Sequence, residues 1–286
     1  MGIEALFRSD RLAQFDFSRA PAMVRRVRSG EDEAPDGLDL TEWSRVQARY
    51  LDPAHAKPLD EIEAAIRQSV EGYDRFFRER GPLRGSVLDI GGSVGVYRQW
   101  WEPGDSGVFV VQDPAVGTSR MEAGELLRRL YSRAFSLPVT CVEGFGEELP
   151  YRDQVFDTCL MVAALDHCAD PARVLAEARR CLRPGGELLC LQTCRLPALS
   201  QRVGYSVRLY REPGRLLRKL RQRLAAEPEK HMHRFDVAGL VSMLETAAFD
   251  HVEASGPIKK RVFAFQATKP SGPSREPAPT ALPTGG

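Results

Sequence analysis

Between residues 86 and 193, short apolar runs alternate with helical stretches, and no other feature of this chain narrows its fold as much. The runs are Ser86 to Ile90, Gly107 to Gln112, Val139 to Glu143, Phe156 to Ala163 and Glu187 to Thr193. Runs this short, and apolar on successive positions, suit strands buried on both faces, as in a parallel sheet covered by helices. Between the last two runs, Pro171 to Leu182 places Val174, Leu175, Ala178 and Leu182 at helical spacing. Arg183-Pro184-Gly185-Gly186 then breaks the helix and turns the chain into the next strand. An earlier helix is predicted over Leu59 to Arg80, where Ile62, Ile66, Val70, Tyr73 and Phe77 share one face before Gly81-Pro82 stops it. A helix at Val237 to Ala248 and a strand pair near His251 to Glu253 and Val262 to Thr268 complete the pattern.

At 286 residues and 43% hydrophobic content, the chain can build one large α/β domain with appendages. The expected division is an irregular or helical extension over 1–55, with a short helix around Thr41 to Leu51. A main domain spans 56–195 and 233–269, a cationic helical insertion 196–232, and a Pro/Gly/Ser-rich disordered tail 270–286. The net charge of +1 gives no global field toward nucleic acid. No apolar stretch approaches the roughly 20 residues that span a bilayer. The first residues carry charges where a secretory leader needs an apolar run, and the myristoylation pattern is absent, so a cytoplasmic location is expected. The six cysteines form no C-x-x-C pair or zinc spacing, which is the pattern of reduced core residues, and no metal is expected.

Two motifs carry chemistry. In Val87-Leu88-Asp89-Ile90-Gly91-Gly92-Ser93-Val94-Gly95 a buried strand runs into a glycine-rich turn and a helix, which lets backbone approach a ligand closely. Asp113 ends the next strand, where a carboxylate can accept two hydrogen bonds from ribose hydroxyls; it can also be a turn aspartate before Pro114. A dinucleotide is the competing ligand, but the full G-x-G-x-x-G spacing is missing.

With both motifs in hand, residues 86 to 194 resemble the class I S-adenosylmethionine-dependent methyltransferases, in their small-molecule branch. Gly144-Phe145-Gly146-Glu147-Glu148-Leu149-Pro150-Tyr151 matches the loop after the third strand. Phe156-Asp157 and Leu165-Asp166-His167 match the fourth strand and its turn, and Leu182-Arg183-Pro184-Gly185-Gly186 matches the turn before the fifth. The resemblance implies a Rossmann-like, doubly wound, mostly parallel sheet with helices on both faces, and S-adenosyl-L-methionine as cofactor. It implies that Asp89, Gly91, Gly92, Ser93 and Gly95 hold the methionine end and Asp113 the ribose. Phe145, Gly146 and Glu147 lie along the adenine, with Val162 also bordering the cofactor. Ser93 stands where the family usually has its middle glycine, and Phe145 where an aspartate commonly meets the adenine amine.

The expected function is methyl transfer to oxygen, nitrogen or carbon of a small molecule; the alternative is a catalytically inactive protein that keeps the fold for binding or regulation. Three histidines are candidates for moving a proton: His167 directly after the fourth strand, and His231 and His233 where the cationic segment ends. That segment carries eight cations between Arg202 and Arg223 against one acid, Glu212. It suits a lid over an anionic acceptor, docking on an anionic membrane to reach a lipid-like one, or a solvated basic face. No nucleic-acid partner is expected.

Overall fold

The computed structural model describes residues 2–20, 22–27, 38, 40, 41, 43–45, 59–115, 121–195, 231–259 and 261–272. From the amino terminus, β1 (Phe15–Asp16) and β2 (Met23–Arg26) precede the long helix α1 (Leu59–Arg80), and β3 (Leu83–Arg84) leads to β4 (Val87–Ile90). Next come β5 (Trp101–Glu102), β6 (Phe109–Asp113), the helices α2 (Met121–Leu130) and α3 (Ser132–Ser136), β7 (Thr140–Glu143) and β8 (Phe156–Val162). Helix α4 (Pro171–Cys181) runs into β9 (Leu182–Arg195); β10 (Phe235–Asp236), α5 (Val237–Thr246), β11 (Asp250–Lys259) and β12 (Val262–Thr268) follow.

The main sheet has the order β1-β2-β7-β6-β4-β8-β9-β12-β11, with β10 beside β9. Strands β2 to β9 along this path are parallel, while β12 and β11 close the far edge antiparallel. The mostly parallel, doubly wound sheet expected from the sequence is present. After β4 the chain fills one side with β6 and β7, then crosses back to lay β8 on the other. That reversal opens a crevice at the carboxyl ends of β4 and β8, where open α/β sheets bind ligands.

Every residue of β4 and of β6 is buried, as the unbroken apolar runs require. Two hydrophobic cores flank the sheet. One packs Leu88, Ile90, Val110, Val142 and Met161 against Val174, Leu175 and Ala178 of α4. The other packs Val87, Val111, Leu160 and Leu189 against Tyr73, Phe76 and Phe77 of α1, with Trp100 stacked on Phe77 at 4.8 Å. Leu182 is buried with the α4 face but begins β9, and α4 ends at Cys181. Arg183-Pro184-Gly185-Gly186 is a bulge within that strand: Phe156 pairs with Leu182, and Thr158 already with Glu187. Strand β11 extends well past the His251 to Glu253 expectation, in irregular register with β12.

The described part of the extension combines short helical turns with short strands. Residues 2–27 contain two 3-10 turns and an antiparallel hairpin, and β2 pairs parallel with β7 through Met23–Cys141 and Val24–Val142. Phe7 sits edge-on to Phe15, Phe17 and Tyr151, fastening the segment to the domain. Of the helix expected over Thr41 to Leu51, residues 41 and 43–45 are helical and the rest lies outside the described residues. The same holds for residues 196–230 of the cationic insertion and 273–286 of the tail. Among the described residues, no helix is long and apolar enough to cross a membrane.

Candidate active site

The glycine turn closes over the carboxyl end of β4. Gly91 takes φ +74°, and a methyl group there would meet the Ala164 Cβ at 2.5 Å, so the turn and the chain after β8 touch. A side chain at Gly92 would strike the Asp89 carboxylate. Ser93 sits at φ +54°, a left-handed conformation that costs a non-glycine residue about 1 kcal/mol or more, and explains why glycine is usual at this position in the resembling family. Gly95, at φ +66°, leads into a 3-10 turn, Val96–Trp100, in place of the helix expected there.

Asp89 is fully buried, and among the described residues neither carboxylate oxygen has a hydrogen-bond partner. Burial, reinforced by the charge of Asp113, pushes its carboxyl well above the usual range; Arg98 opposes this only in part. Asp113 is held at the next strand tip. Its Oδ2 accepts the Ser93 amide at 2.9 Å and its Oδ1 the Ala115 amide at 2.7 Å, and burial raises its pKa against these two bonds. The turn thus joins two carboxylates through one backbone link. An acidic, glycine-floored cradle with two orphaned carboxylate oxygens suits a small cationic ligand carrying hydroxyls, and S-adenosylmethionine has a sulfonium, an ammonium and a ribose.

Arg98 was not singled out in the sequence. It is buried, and its Nη1 donates to the carbonyls of Val94 (2.7 Å) and Gly95 (2.6 Å) while Nε reaches Leu137 (3.2 Å). It braces the turn from beneath. Nothing local betrays it except a charge in an otherwise apolar stretch.

Of the residues expected along the adenine, Gly146 packs tightly under Ile90 and Val174, where a side chain would collide at 2.9 Å. Glu147 is buried, and its Oε1 accepts the amides of Ala169 (2.7 Å) and Asp170 (3.3 Å); its carboxylate anchors the loop ahead of α4. Phe145 is partly buried and meets the Trp43 ring edge-to-face at 5.0 Å. Val162, only 8% exposed, ends β8 beside the turn.

The histidines part company. His231 donates from Nδ1 to Asp166 Oδ2 at 2.8 Å, and its ring lies 4.7 Å from that of His167. His233 instead places Nε2 2.9 Å from the Cys168 carbonyl. The amides of Met232 and His233 both donate to the Asp166 carbonyl, at 2.9 and 3.1 Å, so the returning chain is stapled to the turn after β8. One donor atom from each of Asp166, His167 and His231 lies within 4.8 Å of the others. Burial would raise the Asp166 pKa, but the His231 bond and the His167 charge outweigh it and hold the carboxylate ionised. Burial holds His167 below its ordinary pKa, with Asp166 opposing and His231 assisting. The H-x-H pair is therefore split, with Asp166 the partner of His231.

Known proteins resemble this chain over the same region. Residues 88–190 match the family model described as a methyltransferase domain. The chain is 32% identical over 111 residues to the ubiquinone/menaquinone biosynthesis C-methyltransferase UbiE of Acidiphilium cryptum, covering 39% of this chain and 43% of that protein. It is 30% identical over 175 residues to the UbiE of Francisella philomiragia, covering 58% of this chain and 67% of that one. It is 26% identical over 169 residues to the ubiquinone biosynthesis O-methyltransferase of Dinoroseobacter shibae, covering 57% and 65%. The chain thus spans less than half the length of the first of these relatives and about two thirds of the other two. With the glycine turn, the paired strand-tip aspartates and the loop after β7 all inside the matched region, this chain belongs to the class I S-adenosylmethionine-dependent methyltransferase family.

Proposed function

We propose that this protein transfers the methyl group of S-adenosylmethionine to a small hydroxylated acceptor. The observation that carries the reading is the cradle made by Asp89, the 91–95 turn and Asp113 at the crevice where the sheet reverses. In it, Asp89 with Gly91, Gly92, Ser93 and Gly95 holds the methionine end, Asp113 takes the ribose hydroxyls, and Phe145, Gly146 and Val162 line the base. Glu147 supports that wall through its bonds to the loop before α4. When bound, the cofactor supplies an activated methyl on a sulfonium. The protein's own work is then to position the acceptor in line and to receive its proton.

The Asp166–His231 pair suits that second task. With Nδ1–H donated to Asp166, the other imidazole nitrogen is the basic one, and the carboxylate stabilises the imidazolium that forms. An acceptor that gains a methyl would give up one proton, and charge would balance with that proton on His231. His167, its pKa lowered by burial, packs against the pair; His233, committed to the Cys168 carbonyl, holds the segment in place. A phenol or quinol-like ring fits this chemistry, because methylation at its oxygen or at a ring carbon releases a proton. The relatives named for ubiquinone and menaquinone biosynthesis support the same class. The cationic stretch 201–224, outside the described residues, suits docking on an anionic membrane to reach a lipid-like acceptor; liposome co-sedimentation tests this, and no binding at low salt removes it.

Calorimetry with S-adenosylmethionine and S-adenosylhomocysteine tests the cofactor reading: micromolar binding of both is expected, and absence of both overturns it. With labelled cofactor and a panel of hydroquinones, phenols and amines, the hydroxylated rings are expected to gain the methyl group. Against the best of them, His231→Asn lowers turnover about 10²–10⁴-fold, with cofactor affinity unchanged, whereas His233→Asn stays within about threefold. Equal losses in the two variants would remove His231 from its role.

A further inference from the structure

In the loop after β7, two positions could have offered a carboxylate to the adenine amine, and neither does so. Position 145 is phenylalanine, and the buried Glu147 turns its Oε1 to the amides of Ala169 and Asp170. What stands there instead is aromatic: Trp43, from the extension, meets Phe145 edge-to-face with ring centres 5.0 Å apart. Both rings are partly buried.

Other described residues of the extension are fastened along the same side of the domain. The Arg8 amide donates to the Pro150 carbonyl at 2.9 Å, the Arg152 amide to the Leu6 carbonyl at 2.8 Å, and Arg11 pairs with Glu148 at 2.5 Å. The Cys141 amide donates to the Ala22 carbonyl at 3.0 Å, continuing the β2–β7 pairing. Arg11, Gln14, Phe15 and Arg26 line a small cavity shared with Gly144 and Phe145. Both ends of the loop after β7 therefore carry contacts from residues that precede the main domain.

We infer that the extension completes the adenine end of the cofactor pocket, with Trp43 and Phe145 forming an aromatic wall that holds the base by ring contact in place of a carboxylate. The inference rests on the methyltransferase reading and adds residues outside the matched region 88–190 to the site. Aromatic rings hold bases through their faces and edges without reading the amine, so the wall supplies affinity to any ligand that carries adenine.

The experiment is a titration with S-adenosylhomocysteine and with 5′-methylthioadenosine, which keeps the adenine but lacks the amino-acid end. Binding is read by calorimetry and by tryptophan emission. Trp100 and Trp101 pack with the α1-side core, which leaves Trp43 as the reporter at the loop. In the wild type, emission is expected to fall on saturation with the calorimetric Kd. Trp43→Ala weakens both ligands by the same factor, about 10-fold, while Trp43→Phe keeps Kd within about twofold and loses most of the emission change. Thermal melts confirm that both variants are folded. Unchanged affinity in Trp43→Ala, unchanged wild-type emission at saturation, or a loss confined to S-adenosylhomocysteine each overturns the inference. If the wild type binds neither ligand, the cofactor reading falls first and this one with it.

Discussion

A single buried carboxylate states the conflict between stability and binding in this protein. Asp89 has a folded-state pKa raised above its ordinary value by burial and by the neighbouring charge of Asp113. Its native state therefore binds a proton more tightly than its unfolded state. The stability associated with that group is fully present below the ordinary carboxylate range and is lost as pH rises through the raised pKa. Above the ordinary carboxylate range the ligand-free protein bears a cost at Asp89, either of a buried charge or of a proton held against its ordinary pKa, that a cationic ligand relieves. Asp89→Asn is accordingly expected to raise the ligand-free melting temperature at pH 7, by about 1 kcal/mol or more in stability. That gain fades below about pH 4, near the ordinary carboxylate pKa, and S-adenosylhomocysteine binding weakens at least about 10-fold. A denaturation series from pH 3 to 8 checks the sign; a variant less stable than wild type at pH 7 would contradict the account. Asp89 and its turn were legible in the sequence because a charge inside an apolar run, followed by glycines, is a local anomaly.

At the scale of elements, the glycine turn is a backbone shape that needs support on its lower side. Three carbonyls, those of Val94, Gly95 and Leu137, share the guanidinium of Arg98, which ties the turn to the chain ahead of β7. Replacing Arg98 with leucine keeps much of the volume but strips these carbonyls of a charged donor. We expect a loss of roughly 2–3 kcal/mol and a similar relative loss in S-adenosylhomocysteine affinity, measured by urea denaturation and calorimetry. Full retention of affinity in a folded Arg98→Leu protein would show that the turn holds its shape unaided. The strands that carry this turn were readable because buried parallel strands are written as contiguous apolar residues, and α4 because its buried face repeats at helical spacing. The 3-10 turn after Gly95 and the bulge at residues 183–186 were not, since both depend on how neighbouring strands align.

For the whole molecule, the hairpin of β1 and β2 decides whether the sheet ends in an open strand. Val24 is fully buried where β2 lies against β7. An aspartate there should detach the hairpin, costing about 3 kcal/mol, and expose the β7 edge to pairing with other chains. Size-exclusion chromatography and thermal melts of Val24→Asp should show a lowered melting temperature and concentration-dependent association; a monomer of wild-type stability would show that the edge needs no cover. A two-residue strand such as β1 leaves almost no periodic trace, which is why the extension read as irregular.

What the sequence alone determined is the part of this protein in which neighbours in the chain are neighbours in space: the buried strands, the amphipathic helices, and the glycine turn between two acidic strand tips. Tertiary structure decided the rest. It brought His231, and not His233, to Asp166, turned Glu147 inward to the loop before α4, set Arg98 under the turn and laid Trp43 on Phe145. Apolar periodicity is a local code enforced residue by residue through burial, whereas a hydrogen bond or ring contact between distant positions depends on the path of all the chain between them.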